Sequence, residues 1–143
     1  MAYTTQAAIE SAIGVSDLAA LSAVDGTSGA AVVAAAIVEA DSIIDSYGRK
    51  RHAAERLAAS VVISSLSARM TVRILRRDRR MVLAADIENE KTDREWLEAL
   101  AKGLVTLDVD HVEGQASELS VDKAGERDPA TKYVSRERLK GFW

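Results

Sequence analysis

Apolar positions recur at helical spacing through most of the first hundred residues. Val33, Ile37, Ala40, Ile44 and Tyr47 follow one another at steps of four, three, four and three, which places them on one stripe of an α-helix. The stripe predicts a long helix from about Gly29 to Tyr47, opened by Ser28 and ended by Gly48. A second long helix is predicted from about His52 to Arg77. It carries two stripes, Leu57, Val61, Ser64, Ala68, Val72 and Leu75 on one side and Ile63, Leu66, Met70 and Ile74 on another. A helix apolar over so much of its circumference is expected at the centre of the fold.

Shorter elements flank these two. Thr4 or Thr5 can cap a helix running to about Ile13 and stopped by Gly14, and Ser16 can cap a short turn from Asp17 to Leu21. Asp25-Gly26-Thr27-Ser28-Gly29 is dense in turn residues. Thr92-Asp93-Arg94-Glu95 has the form of a capping box ahead of Trp96, Leu97 and Leu100, which predicts a last helix ending at Gly103. Val105, Leu107 and Val109 alternate with polar residues, a strand signal for a short β element near 104–109. The fold class is therefore mainly α: a small bundle of two short N-terminal helices, two long helices and one C-terminal helix over residues 1–107. A polar loop or linker (108–132) and an extended C-terminal arm (133–143) complete the chain. From Asp110 to Lys132 the sequence is polar and aperiodic, the composition of a functional arm or a disordered linker.

Composition narrows the chemistry. At 143 residues the chain can bury about 68–70% of its unfolded surface, so one core needs no staple. It has no cysteine, which excludes disulfides and thiol nucleophiles. His52 and His111 are far apart and read as surface residues rather than as a zinc pair, so neither metal nor cofactor is expected. Glu39, Asp41 and Asp45 raise the question of a cation or acid–base site, since Asp41 and Asp45 share a helix face, but they read as the solvated side of the Gly29–Tyr47 helix. No serine elbow and no phosphate loop is present, and the chain is expected to be no enzyme. Nothing near the N-terminus reads as a signal peptide, and no stretch is apolar for long enough to suggest a membrane span.

The net charge of −3 hides an uneven distribution. Arg69, Arg73, Arg76, Arg77, Arg79 and Arg80 crowd one segment, while acids including Asp86 and Glu88 crowd the next. Arg69, Arg73, Arg76, Arg77, Arg80, Asp86 and Glu88 can present opposite charges to neighbouring copies of the chain. The alternative use of the Arg69–Arg80 cluster is DNA binding in a helical regulatory protein, but no aromatic residues are interleaved for base stacking.

Three stretches resemble one family. Ala2-Tyr3-Thr4-Thr5 with the Asp25-Gly26 turn and Ala40-Asp41-Ser42-Ile43-Ile44-Asp45-Ser46-Tyr47, then Trp96 to Leu107, then Val134-Ser135-Arg136-Glu137-Arg138-Leu139-Lys140-Gly141-Phe142 are similar to the head-tail connector proteins of Mu-like phages and prophages. Val134 stands where an aromatic is usual, and Trp143 is an additional terminal aromatic. The resemblance implies a structural virion protein: a helical bundle assembled as a closed ring, expected to be a dodecamer. Such a ring lies in the virion neck between the portal protein and a neck or tail-completion protein, after synthesis in the host cytoplasm. DNA passes through its lumen without sequence-specific binding, and no membrane is involved. On this reading Tyr133, Ser135, Arg136, Arg138, Leu139, Lys140, Gly141, Phe142 and Trp143 form the arm that docks on the portal or an adjacent subunit, with Phe142, Trp143 and Leu139 as apolar anchors.

Overall fold

A computed structural model describes residues 1–109. These fold into six helices, α1 (Gln6–Ile13), α2 (Val15–Ser22), α3 (Gly29–Gly48), α4 (Ala54–Ala59), α5 (Val61–Asp78) and α6 (Ala84–Lys102). The linker and the arm expected at 108–132 and 133–143 lie outside the described residues, apart from Asp108 and Val109.

The N-terminal helices follow their caps. The Thr5 hydroxyl accepts the Ala8 amide at 3.2 Å and opens α1. Gly14, at φ +92, both ends α1 and begins α2, a backbone turn that a side chain would strain. The second helix thus starts at Val15 rather than behind Ser16. Ser28 stands at the N-cap of α3 with extended backbone, but its side chain makes no capping bond. Before it, Thr27 donates its amide to the Val24 carbonyl and closes the predicted turn.

The core follows the stripes. Val33, Ala36, Ile37, Ala40 and Ile44 from α3 are buried against Ile63, Leu66, Met70, Ile74 and Leu75 from α5, and α3 with α5 is the most extensive helix pair. As expected of the central helix, α5 touches each of the other five. Ile9, Leu18, Leu21, Leu57, Leu97, Leu100 and Leu107 close the core from the remaining segments.

Three expectations are corrected. The helix predicted from His52 to Arg77 is broken at Ser60, whose backbone is extended and whose hydroxyl accepts the Ile63 amide at 3.3 Å. The break turns Leu57 into the core and leaves Val61 74% exposed, although both lie on the same predicted stripe. The last helix begins at Ala84, two turns before the box at Thr92–Glu95. Its entry is held by Asp86, which accepts the Leu83 amide at 3.0 Å. Thr92 lies inside the helix and donates its hydroxyl back to the Glu88 carbonyl. Finally, Val105 to Val109 form no strand: Leu107 is a single apolar plug, 1% exposed, Asp108 turns to bond the start of α5, and the backbone at 108–109 is helical.

At the other end of α5 the chain reverses through a Schellman turn. Met81 donates its amide to the Arg76 carbonyl and Arg80 to that of Arg77. Arg80 occupies the left-handed position, φ +56, that glycine usually takes.

Candidate functional site

Arg69, Arg73 and Arg76 are spaced by four and three along α5 and face α6. There Asp86 and Asp93, two turns apart, point back at them. Arg76 meets Asp86 at 2.9 Å, and Asp93 receives Arg73 at 2.6 Å and Arg69 at 3.1 Å. The Arg73–Asp93 pair is the inner rung, each side chain 12% exposed, whereas Arg69 stays 59% exposed. Burial makes the inner rung the costly one to break, because removing either partner strands a charge away from water, whereas the outer pairs are screened by water and salt.

Arg77 points the other way, to Glu39 on α3 at 3.0 and 3.2 Å and to Asp78; these bonds raise its already high pKa. Arg79 donates to the Leu21 carbonyl at 3.1 Å. Of the seven residues singled out for contacts between copies, Arg69, Arg73, Arg76, Arg77 and Asp86 are engaged within one chain, while Arg80 and Glu88 are exposed.

A neighbouring feature escaped the sequence reading. Met81, Val82, Leu83 and Ile87, at the turn from α5 into α6, are 61%, 48%, 53% and 64% exposed. Val82 and Ile87 line a cleft of about 140 Å³ together with Ile43, Met70 and Ile74. Four large exposed apolar side chains within seven residues are a density of the kind that marks a contact surface. The available signal was the run Met81-Val82-Leu83 directly after a basic stretch, with no helical stripe to absorb it.

The acidic trio of α3 is not one solvated face. Asp41 is buried; it accepts the Tyr3 amide at 3.0 Å and the Ser67 hydroxyl at 2.6 Å. Asp45 accepts the Tyr3 hydroxyl and lies 3.6 Å from Arg49. Burial, with the Asp45 bond next, pushes the Tyr3 phenol well above its ordinary pKa. Tyr3 thereby sews the N-terminal segment onto α3, and Asp41 sews α3 to α5. Among the described residues no group of three or more His, Cys, Asp or Glu is placed to hold a metal ion. His52 is half-buried, and His111 lies outside the described residues.

Comparison with protein-family models matches residues 3–124 to the family described as Bacteriophage Mu, Gp36. The chain belongs to that family. No curated protein and no solved structure matches it. The Mu Gp36 match opens at Tyr3, the residue sewn onto α3, and spans all six helices and Asp108. It stops before the closing stretch, so Tyr133, Ser135, Arg136, Arg138, Leu139, Lys140, Gly141, Phe142 and Trp143 lie outside both the match and the described residues. Membership makes this a bacteriophage protein, and a structural or morphogenesis role is the coarse assignment that the family carries. Among the described residues no helix is long and apolar enough to cross a membrane.

Proposed function

We propose that the protein is a head-tail connector subunit of a phage or prophage particle. It works without catalysis or cofactor, by binding its neighbours in a closed ring in the virion neck, and is made in the host cytoplasm before assembly. The observation that carries this reading is membership of the Mu Gp36 family across residues 3–124. Two features of the bundle support it. A tightly packed α3–α5 core suits a rigid wall segment, and the apolar corner at Met81–Ile87 offers a contact surface that the single chain leaves exposed. Ring closure by identical subunits requires contacts that repeat from copy to copy; Arg80 and Glu88 join this corner as charges available for them. The arm from Tyr133 to Trp143 docks on the portal or an adjacent subunit, and DNA traverses the lumen without base-specific contact.

Use of the Arg69–Arg80 cluster for DNA binding is the less favoured reading. Four of its guanidinium groups face carboxylates of the same chain and a fifth faces a carbonyl, so phosphate contacts would have to displace them.

The test is assembly in a phage or prophage lacking this gene. Accumulation of separate heads and tails, with joining restored by the added protein and the protein recovered on portal-bearing heads, is the expected result. Intact particles without the protein would refute the proposal, and a salt-dependent shift of duplex DNA by the free protein would favour the DNA-binding alternative.

A further inference from the structure

Two ties of the end of the described chain to the bundle bracket α4. On one side of that short helix, Arg51 donates to the Lys102 carbonyl at 3.0 Å. It lies so close over Gly103, itself at φ +74, that a Cβ there would meet its guanidinium at 2.0 Å. On the other side, Asp108 accepts the Ser60 hydroxyl with one carboxylate oxygen and the Val61 amide at 2.9 Å with the other. These partners are 51, 48 and 47 residues apart in sequence, so neither tie is local.

What lies between the ties is lightly built. α4 has six residues and one buried side chain, Leu57. The extended backbone of Ser60 interrupts the ladder of helical hydrogen bonds that the apolar periodicity would otherwise carry straight into α5. A carboxylate at the first amide of an eighteen-residue helix is well placed electrostatically, yet it is a single side chain that bridges Ser60 and Val61. Segments with few buried contacts and side-chain ties are those that open locally while the core remains folded.

We propose that α4 and residues 102–109 form one latch, closed by Asp108 on Ser60 and Val61, that opens as a unit without unfolding the α3–α5 core. Asp108 is a positioning residue in this device. Leu57 and Leu107, both buried, keep the closed form dominant, and the carboxylate couples them. The functional weight of the latch rests on the connector reading, since the latch sits at the base of the chain leading to the proposed docking arm; its existence does not.

Hydrogen exchange on the full-length protein tests it, comparing the wild type with Asp108→Ala, Asp108→Glu and Ser60→Ala alongside thermal melts. Asp108→Ala should raise exchange together across residues 54–63 and 102–109 by about tenfold or more, with α3 and the second half of α5 unchanged. Ser60→Ala, which leaves the Val61 bond possible, should give a smaller rise over the same two segments, and Asp108→Glu should restore part of the protection. A rise confined to Val61 would reduce Asp108 to a simple cap and overturn the latch. So would a uniform rise over all helices. Loss of attachment to portal-bearing heads by a variant with unchanged exchange would likewise count against the latch while leaving the connector reading intact.

Discussion

The two halves of α6 are held to the bundle by different physics. In the first half the inward residues are Asp86 and Asp93, met by Arg76, Arg73 and Arg69, and the one large aliphatic residue, Ile87, faces out at 64% exposure. In the second half Leu97 and Leu100 are buried and no ion pair reaches α5. Burying a leucine is worth about 1.5–3 kcal/mol wherever it fits. An ion pair returns far less after its desolvation cost, but it demands a definite geometry. The leucine half thus anchors α6, and the charged half fixes its register against α5.

The comparison can be broken most severely in the leucine half. Leu97→Ala or Leu100→Ala should cost about 2–5 kcal/mol in denaturant unfolding, with little dependence on salt. A loss below ~1 kcal/mol would mean that the charges, not the leucines, carry the helix. In the other half, Asp93→Ala leaves Arg73 nearly buried without its counter-charge. The expected cost is about 2–3 kcal/mol, less than for a fully enclosed pair because Arg69 remains in water. Asp93→Asn should fall between the two.

Arg76→Ala should be milder, about 1 kcal/mol, since Arg76 is itself 30% exposed and Asp86 keeps its bond to the Leu83 amide. Raising the salt from 0.1 to 1 M should shrink this effect and raise hydrogen exchange in residues 84–93 more than in 95–102. Equal responses in the two halves would erase the distinction. The effect narrowest in reach lies just past the leucine half, at Asp108, whose pKa is held below the ordinary carboxylate value by the Ser60 hydroxyl and then by the Val61 amide. A carboxyl depressed in the folded state contributes fully above its unfolded pKa and loses that contribution as the pH falls through the folded one. Exchange of the Val61 amide, corrected for its intrinsic pH dependence, should therefore be constant above pH ~4 and rise only in stronger acid.

The same division explains what the sequence could disclose. α1 is legible because the Thr5 cap and Gly14 bound it, α3 and the second stripe of α5 because their apolar spacing coincides with their buried faces, and Leu97, Leu100 and Gly103 mark the end of α6. Its first half was invisible to periodicity because carboxylates occupy the inward positions, and Thr92–Glu95 imitated a helix start inside a helix. The break at Ser60 combines a local serine cap on Ile63 with a bond to Asp108 forty-eight residues away, and the uninterrupted apolar spacing on both sides of Ser60 hides it. Alternation at Val105, Leu107 and Val109 imitated a strand because one buried leucine between two half-buried valines reads like a pleat. For the candidate site, opposite charges on adjacent segments were visible, but that they close on each other within one chain is a matter of packing. The exposed corner at Met81–Ile87 left one trace, the apolar run Met81-Val82-Leu83 outside any helical stripe, but residue type alone does not tell an exposed apolar run from a buried one.

The buried carboxylate of Asp41 has a consequence for how this sequence can drift. It serves a backbone amide from Tyr3 and a hydroxyl from Ser67 at once. Replacing Asp41 alone would strand both donors away from water, and replacing Ser67 alone would leave an acceptor short; either change costs more than the bond it removes. Replacing Asp41 and Ser67 together by apolar residues of similar size leaves only the Tyr3 amide to satisfy. Members of the Mu Gp36 family are therefore expected to vary at these two positions jointly rather than singly. Where the aspartate is absent, the N-terminal segment should enter the fold along a different line.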